Sequence, residues 1–200
     1  MKVAQLATEP AELTNPGSPA WAEVPAIEVS LKPVALAAQP VEYIRETWAG
    51  RPYGQTSRAT VSAATARDRL YVRVEWEDDE EPNREFQDAA AVVFDGTGGD
   101  VATLGSAAHP VALWYWEHGR QAPLHLISRG PGVVSKDSTG APTAAAVLAD
   151  KRWAVVFSGP AGGVGQRRIG VALWNGSNDE RGGLAAVTPE WLPLESERGV

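Results

Sequence analysis

The sequence predicts an all-β protein, an antiparallel β-sandwich with long loops. Short runs rich in Val, Ala, Trp and Tyr recur between clusters of Gly, Pro, Asn and Asp, whereas helical periodicity is scarce. The 200 residues are 44% hydrophobic and 22% charged, with eight tryptophans, which is enough apolar material for one core. We therefore predict a single domain over residues 1–200, in which residues 1–20 form an extended N-terminal segment.

The predicted strands follow the runs in order, each ending at a cluster of turn residues. Leu70, Val72, Val74 and Trp76 share one face of their strand, because successive strand residues point to opposite sides of a sheet. The strand at 111–117 is apolar on both faces, so it is either covered on both sides or presents aromatic surface to another molecule. The predicted strands are 26–34, 59–66, 70–77, 89–94, 111–117, 124–128, 143–148, 153–158, 169–174 and 191–194.

Composition excludes several classes of function. The net charge of −7 disfavours nucleic acid and anionic membrane as partners, since both require clustered Lys and Arg. The absence of cysteine excludes disulfides, thiolate zinc sites, Fe–S ligation and thioether attachment of haem. No stretch has the length or apolarity of a signal peptide core or a membrane span. These features indicate a cytoplasmic protein, with a periplasmic location open if the chain is trimmed or exported with a partner.

The residues that could carry chemistry do not form a catalytic pattern. His109, His118 and His125 lack metal-ligand spacing, and His109 is the best single candidate for a ligand. The acidic run at 75–81 could hold an acid and base pair or a calcium ion, but a solvated loop is the preferred interpretation. The glycine-rich run at 159–165 lacks the Lys-Ser/Thr of a phosphate-binding loop. We therefore predict no catalytic residues.

Four segments carry a resemblance to a known family. They are 17–21, then 71–78 with 86–94, then 104–116, and finally 169–191, which includes Trp174-Asn175-Gly176 and Trp191. Together and in this order they resemble the haem-b-binding gamma subunit of dimethyl-sulfoxide-reductase-family molybdoenzymes. That subunit type occurs in ethylbenzene and dimethyl sulfide dehydrogenases and in selenate and chlorate reductases.

The resemblance implies a fold, partners and a role. The fold would be a β-sandwich like the cytochrome domain of cellobiose dehydrogenase, which agrees with the strand pattern. The chain would be a non-catalytic accessory subunit of electron-transfer type in a heterotrimeric oxidoreductase complex. Its partners would be a catalytic subunit with the molybdenum cofactor and a subunit with Fe–S clusters.

The resemblance also implies haem b, held in the family by a methionine and a lysine. The aligned positions here are Leu104 and Leu184, and Met1 is the only methionine. Leucine has no lone pair for iron, so the sequence predicts that haem is lost and the role is structural. The alternative is altered ligation through His109, together with Lys151 or another group. Trp114 and Trp116 would then line the pocket; without haem they would fill the vacated space or an interface.

The competing hypothesis for function is a carbohydrate-binding module on the same architecture. In that case exposed Trp and Tyr faces would stack on sugar rings. No appended catalytic domain accompanies the sandwich in this sequence, which makes the accessory subunit the leading hypothesis.

Overall fold

A computed structural model describes residues 1–6, 10–79, 85–161 and 168–196 of the chain. The strands are β1 (Lys2–Gln5), β2 (Ala26–Ser30), β3 (Lys32–Pro33), β4 (Arg58–Ala66), β5 (Arg69–Glu77), β6 (Ala89–Asp95), β7 (Val111–Glu117), β8 (Leu124–Ser128), β9 (Val134–Lys136), β10 (Thr143–Ala149), β11 (Arg152–Pro160), β12 (Arg168–Trp174), β13 (Ala186–Val187), β14 (Leu192–Pro193) and β15 (Glu195–Ser196). The helices are short: α1 (Pro10–Thr14), α2 (Glu42–Thr47) and 3-10 turns at Pro19–Glu23, Leu36–Ala38, Val101–Thr103 and Gly176–Asn178.

The strands form two sheets, which confirms the predicted all-β sandwich. The first sheet has the order β10-β11-β5-β4-β1-β15, with β2 also paired to β4. The second has the order β3-β13-β12-β6-β7-β8-β9, with β14 also paired to β12. Pairing is antiparallel except at β1, which runs parallel to both β4 and β15. Strands near the two ends of the described chain are therefore neighbours in one sheet.

The structure departs from the predicted elements at the N-terminal side and at short strands. The predicted strand at 26–34 is two strands, because the chain leaves the first sheet after Ser30 and enters the second at Lys32. The segment at 1–20, expected to be extended, contains β1 and the helix α1. The sequence pattern did not predict β1, β9, β13 and β15, because strands of two to four residues are too short to show alternation.

The main core lies between the sheets and follows the predicted alternation. Leu70, Val72, Val74 and Trp76 of β5 all face this core. The tryptophans of β5, β7 and β11 meet there, with ring centroids 5.1 Å apart for Trp116 and Trp153 and 6.2 Å for Trp76 and Trp153. A second apolar cluster covers the other side of the second sheet, and β7 contributes to both. The strand that is apolar on both faces is thus packed on both sides.

The described helices have six residues at most, and none of them is long and apolar enough to cross a membrane.

Candidate functional site

The outer side of the second sheet carries a cleft of about 410 Å³, which we call the outer cleft. Its volume is in the range of small-molecule and cofactor sites. Strands β7 and β8 form its floor, because alternate residues of each strand point away from the core. Its apolar wall is formed by Leu104, Leu113, Tyr115, Leu124, Leu126 and Trp174.

Leu104 stands on this wall in an unusual backbone conformation. It follows the 3-10 turn at Val101–Thr103 with φ 54° and ψ 40°, in the left-handed region that costs a non-glycine residue about 1 kcal/mol or more. The hydroxyl of Ser128 donates a hydrogen bond of 2.7 Å to its carbonyl oxygen, and its side chain is buried. Contacts on both sides therefore hold Leu104 at the cleft despite the backbone strain.

Leu184 is buried beside the outer cleft without forming its wall. Its N–H donates to the carbonyl of Arg181 at 2.9 Å, in the loop whose Gly182 does line the cleft. The indole N–H of Trp174 donates to the Gly182 carbonyl at 3.0 Å and fixes that loop to β12. Leu104 and Leu184, which the resemblance aligns with haem ligands, thus lie in two loops that flank the same cleft, and Leu104 is the one that lines it.

Charged side chains stand at one end of the outer cleft. Arg120 contacts the carboxylate of Glu117 at 2.9 Å, and the hydroxyl of Tyr115 donates to the same carboxylate at 3.4 Å. Burial, followed by the charge of Glu117, raises the pKa of Tyr115, so its phenol stays protonated. Lys136 is the remaining cation in the wall and is exposed. The cleft is therefore apolar inside and polar at its rim.

The other predicted site residues lie elsewhere. Trp114 and Trp116 point to the opposite side of β7, into the core between the sheets, so they do not line the outer cleft. His109 is exposed in the loop before β7, where its Nδ1 contacts the Thr97 carbonyl at 3.0 Å. Lys151 is exposed in the turn between β10 and β11. Trp114 and Trp116 face the core because neighbouring residues of a strand point to opposite sides of the sheet, and each lies one position away from a residue that lines the cleft.

The residues of the outer cleft do not fit a haem held by a thioether and an amine at the two positions that the resemblance implies. Leu104 presents hydrocarbon, and the described wall contains no His or Met. Its oxygen donors Tyr115 and Glu117 are engaged with each other and with Arg120. Among the described residues no group of three or more His, Asp or Glu is placed to hold a metal ion.

Two buried carboxylates that the sequence reasoning did not single out fix the loops around the cleft. Glu180 accepts hydrogen bonds from the N–H groups of Gly54 at 2.6 Å and Asn175 at 2.9 Å, and burial raises its pKa. Asp88 accepts from the indole of Trp153 at 3.2 Å and from the N–H of Gly176 at 2.9 Å. The sequence feature that could have predicted such a carboxylate is the run of Asn, Gly and Asp around residue 180. Loops of this composition leave many backbone N–H groups that need a hydrogen-bond acceptor.

Two carboxylates of the acidic run form ion pairs in the described part of the chain. Glu75 contacts Arg73 at 2.5 Å, and Glu77 contacts Arg152 at 2.9 Å. The remainder of the run, from residue 80, and most of the glycine-rich run lie outside the described residues. The paired carboxylates agree with a structural role for this strand end.

The fold and the cleft define a β-sandwich with a ligand-sized apolar cleft on the outside of one sheet. No protein-family model matches the chain. It is 31% identical over 88% of its length to a protein of Haloferax mediterranei assigned as a respiratory nitrate reductase haem subunit. It is 35% identical over 70% of its length to the chlorate reductase gamma subunit of Ideonella dechloratans. It is 26% identical over 89% of its length to the dimethylsulfide dehydrogenase gamma subunit of Rhodovulum sulfidophilum.

The chain is therefore homologous to gamma subunits of dimethyl-sulfoxide-reductase-type molybdenum oxidoreductases, which confirms the resemblance found in the sequence. It spans 66%, 65% and 73% of the lengths of the three relatives, slightly less than two thirds for the first two.

Among solved structures, a family 9 carbohydrate-binding module of Caldicellulosiruptor kristjanssonii in complex with glucose is similar at a TM-score of 0.48 and 9% identity. The likeness covers 100% of this chain and 96% of that one. At this level it says nothing of what the chain binds.

Proposed function

We propose that the chain is a non-catalytic accessory subunit, of the gamma type, in a molybdenum oxidoreductase complex. Its partners would be a catalytic subunit with the molybdenum cofactor and an Fe–S subunit. The observation that carries the proposal is the similarity to three gamma or haem subunits, which runs through 70% to 89% of the chain and so includes most of the sandwich. Chemistry at molybdenum would take place in another chain.

The proposal includes the loss of the family's haem from the outer cleft. The wall residue Leu104 is 2% exposed and offers no donor, and Leu184 is equally buried. Substitution of both ligand positions by hydrocarbon would remove iron coordination while keeping an apolar cleft. The subunit would then serve assembly and docking. The alternative is that haem is bound through other ligands and electron relay is retained. The haem experiment below distinguishes the two.

The complex is tested by native purification of the tagged chain from its source. We expect it to elute with a molybdenum-containing chain and an iron–sulfur chain in constant ratio, with both metals measured by elemental analysis. A tagged unrelated β-sandwich of similar charge is the control for adventitious capture. Recovery of the chain only as a free monomer under native conditions would contradict the accessory role.

The haem site is tested by a gain of function. We expect the wild-type chain, purified with haem supplied, to give no Soret band and no pyridine haemochrome. The double substitution Leu104→Met with Leu184→Lys should restore a b-type spectrum, because it returns a thioether and an amine to the two loops that flank the cleft.

The matched control for the haem experiment is Val41→Met with Val147→Lys, which places the same side chains at exposed positions away from the cleft. A haem spectrum in the wild-type chain would establish altered ligation. A flat spectrum in both double variants would show that the outer cleft is not the family's haem pocket.

The tryptophans do not supply the exposed ring faces that the carbohydrate-binding alternative requires, and Tyr43, 69% exposed, is the one fully exposed aromatic ring among the described residues. All eight tryptophans lie in the described residues; seven are buried and Trp191 is half-buried, with its indole N–H donating to the Gly99 carbonyl. A stacking platform for sugar needs an exposed ring face. Titration with a panel of plant and bacterial glycans should therefore give no heat of binding.

A further inference from the structure

A second cavity, of about 470 Å³, opens between the two sheets at the β8 side of the sandwich. It lies on the other side of β7 and β8 from the outer cleft, so it is separate from the site proposed to have lost haem. Its walls are largely apolar and include Phe94, Val111, Trp114 and Ile127. His125 is the one imidazole among the described wall residues.

The hydrogen bonds of His125 fix its tautomer. Its Nδ1 lies 2.6 Å from the carbonyl oxygen of Thr139. A carbonyl oxygen only accepts, so Nδ1 carries the proton and Nε2 of the neutral ring keeps its lone pair. Asp137 supports this arrangement, since its carboxylate lies 3.6 Å from Nδ1 and accepts the N–H of Thr139 at 2.9 Å.

Nε2 of His125 is within reach of a ligand. His125 is one of the residues that line this cavity. The His125 side chain is 15% exposed, and Thr139 holds the opposite ring nitrogen. The accessible nitrogen is therefore an acceptor at the wall of a largely apolar cavity, whose other polar lining side chains are Thr97, Asp137 and Thr139.

We propose that this cavity binds a small aromatic molecule with one hydroxyl group. The apolar walls would take the ring, and the hydroxyl would donate its hydrogen to Nε2 of His125. A ligand without a donor would make no hydrogen bond to that nitrogen, which is the physical basis of selectivity. This site goes beyond the proposed accessory role and does not depend on it.

The test compares phenol with anisole, which has the same ring but no O–H donor. Binding is followed by ligand-detected NMR titration of the full chain. We expect phenol to bind about fivefold to tenfold more tightly than anisole, the range of one net hydrogen bond. A long-range proton–nitrogen spectrum of the imidazoles should also show His125 as the Nδ1–H tautomer.

The variant His125→Asn removes Nε2 while keeping an amide near the position of Nδ1, so it should bind phenol and anisole equally. His118→Asn is the matched control, because His118 lies outside the cavity wall. Equal binding of both ligands to the wild-type chain, or no binding of either, would overturn the proposal. So would an unchanged preference for phenol in His125→Asn. If that variant does not fold, the comparison of ligands on the wild-type chain decides alone.

Discussion

At the scale of single residues, Glu180 makes the stability of the folded chain depend on pH through the loops around the outer cleft. Its carboxylate is 2% exposed and is held by N–H groups of two separate loops. Burial raises its pKa above the ordinary value of 4.5, although the N–H donors act in the opposite direction. The folded state therefore binds this proton more tightly than the unfolded state, and the free energy of unfolding falls as pH rises from about that value through the folded pKa.

The first prediction concerns this pH dependence. Glu180→Gln should flatten the decrease of the unfolding free energy with rising pH, measured by urea unfolding at a series of pH values. The control is Glu190→Gln, since Glu190 is exposed and outside these loops. Identical pH profiles for wild type and Glu180→Gln would show that Glu180 does not titrate differently in the folded state.

Gly176 is a second residue whose identity is set by its surroundings. A Cβ at this position would lie 2.5 Å from the Phe86 carbonyl oxygen and 2.5 Å from the Gln87 carbonyl carbon. Both are backbone atoms and cannot rotate away. The close approach allows the Gly176 N–H to reach the buried carboxylate of Asp88.

The second prediction is that Gly176→Ala destabilises the protein by about 1–3 kcal/mol, the usual cost of overpacking. The measurement is the shift of the urea midpoint at constant slope. Gly96→Ala is the control, because a Cβ at Gly96 meets nothing within 4 Å. An equal midpoint for the two variants would contradict the steric explanation.

At the scale of elements, β10 is an edge strand without the usual protection. Among the described strands it pairs with β11 alone, and none of its seven residues is charged. Val147 and Leu148 are 39% and 44% exposed. An apolar strand edge with free N–H and C=O groups is a template for pairing with another strand.

The third prediction is that the isolated chain associates with itself at high concentration and that Leu148→Lys reduces this association. The folding free energy should change by no more than about 0.5 kcal/mol, since the site is at the surface. Sedimentation over a range of concentrations gives the readout, with Val41→Lys as an exposed apolar control outside the strands. Equal association of both variants would show that the edge of β10 is not where the chains associate.

At the scale of the whole molecule, β1 joins distant parts of the chain. It lies between β4 and β15 in the first sheet, and Val3 packs in the core between the sheets. Local loss of β1 would therefore expose both neighbours. This arrangement supports the prediction that the chain is one domain.

The fourth prediction is a single cooperative urea transition, with tryptophan fluorescence and far-ultraviolet circular dichroism coinciding. Val3→Ala should shift that whole transition by about 1–3 kcal/mol, the cost of a small core cavity. Lys2→Ala, at an exposed position of the same strand, should leave the transition in place. Two separate transitions would contradict a single domain.

The sandwich class and the resemblance to gamma subunits could be predicted from the sequence alone. Alternation along β5 and apolarity on both faces of β7 are local properties, and they are visible because side chains alternate with a period of two. The ordered segments that resemble the gamma subunits are likewise local, and similarity to curated relatives confirms that resemblance.

Which residues meet depends on the tertiary structure and could not be predicted from the sequence. Parity along β7 sends Trp114 and Trp116 into the core while Leu113 and Tyr115 face the outer cleft. The His125 cavity depends on a carbonyl 14 residues further along the chain and on walls from other strands. Such contacts join residues far apart in sequence, and their geometry is set by how the two sheets pack.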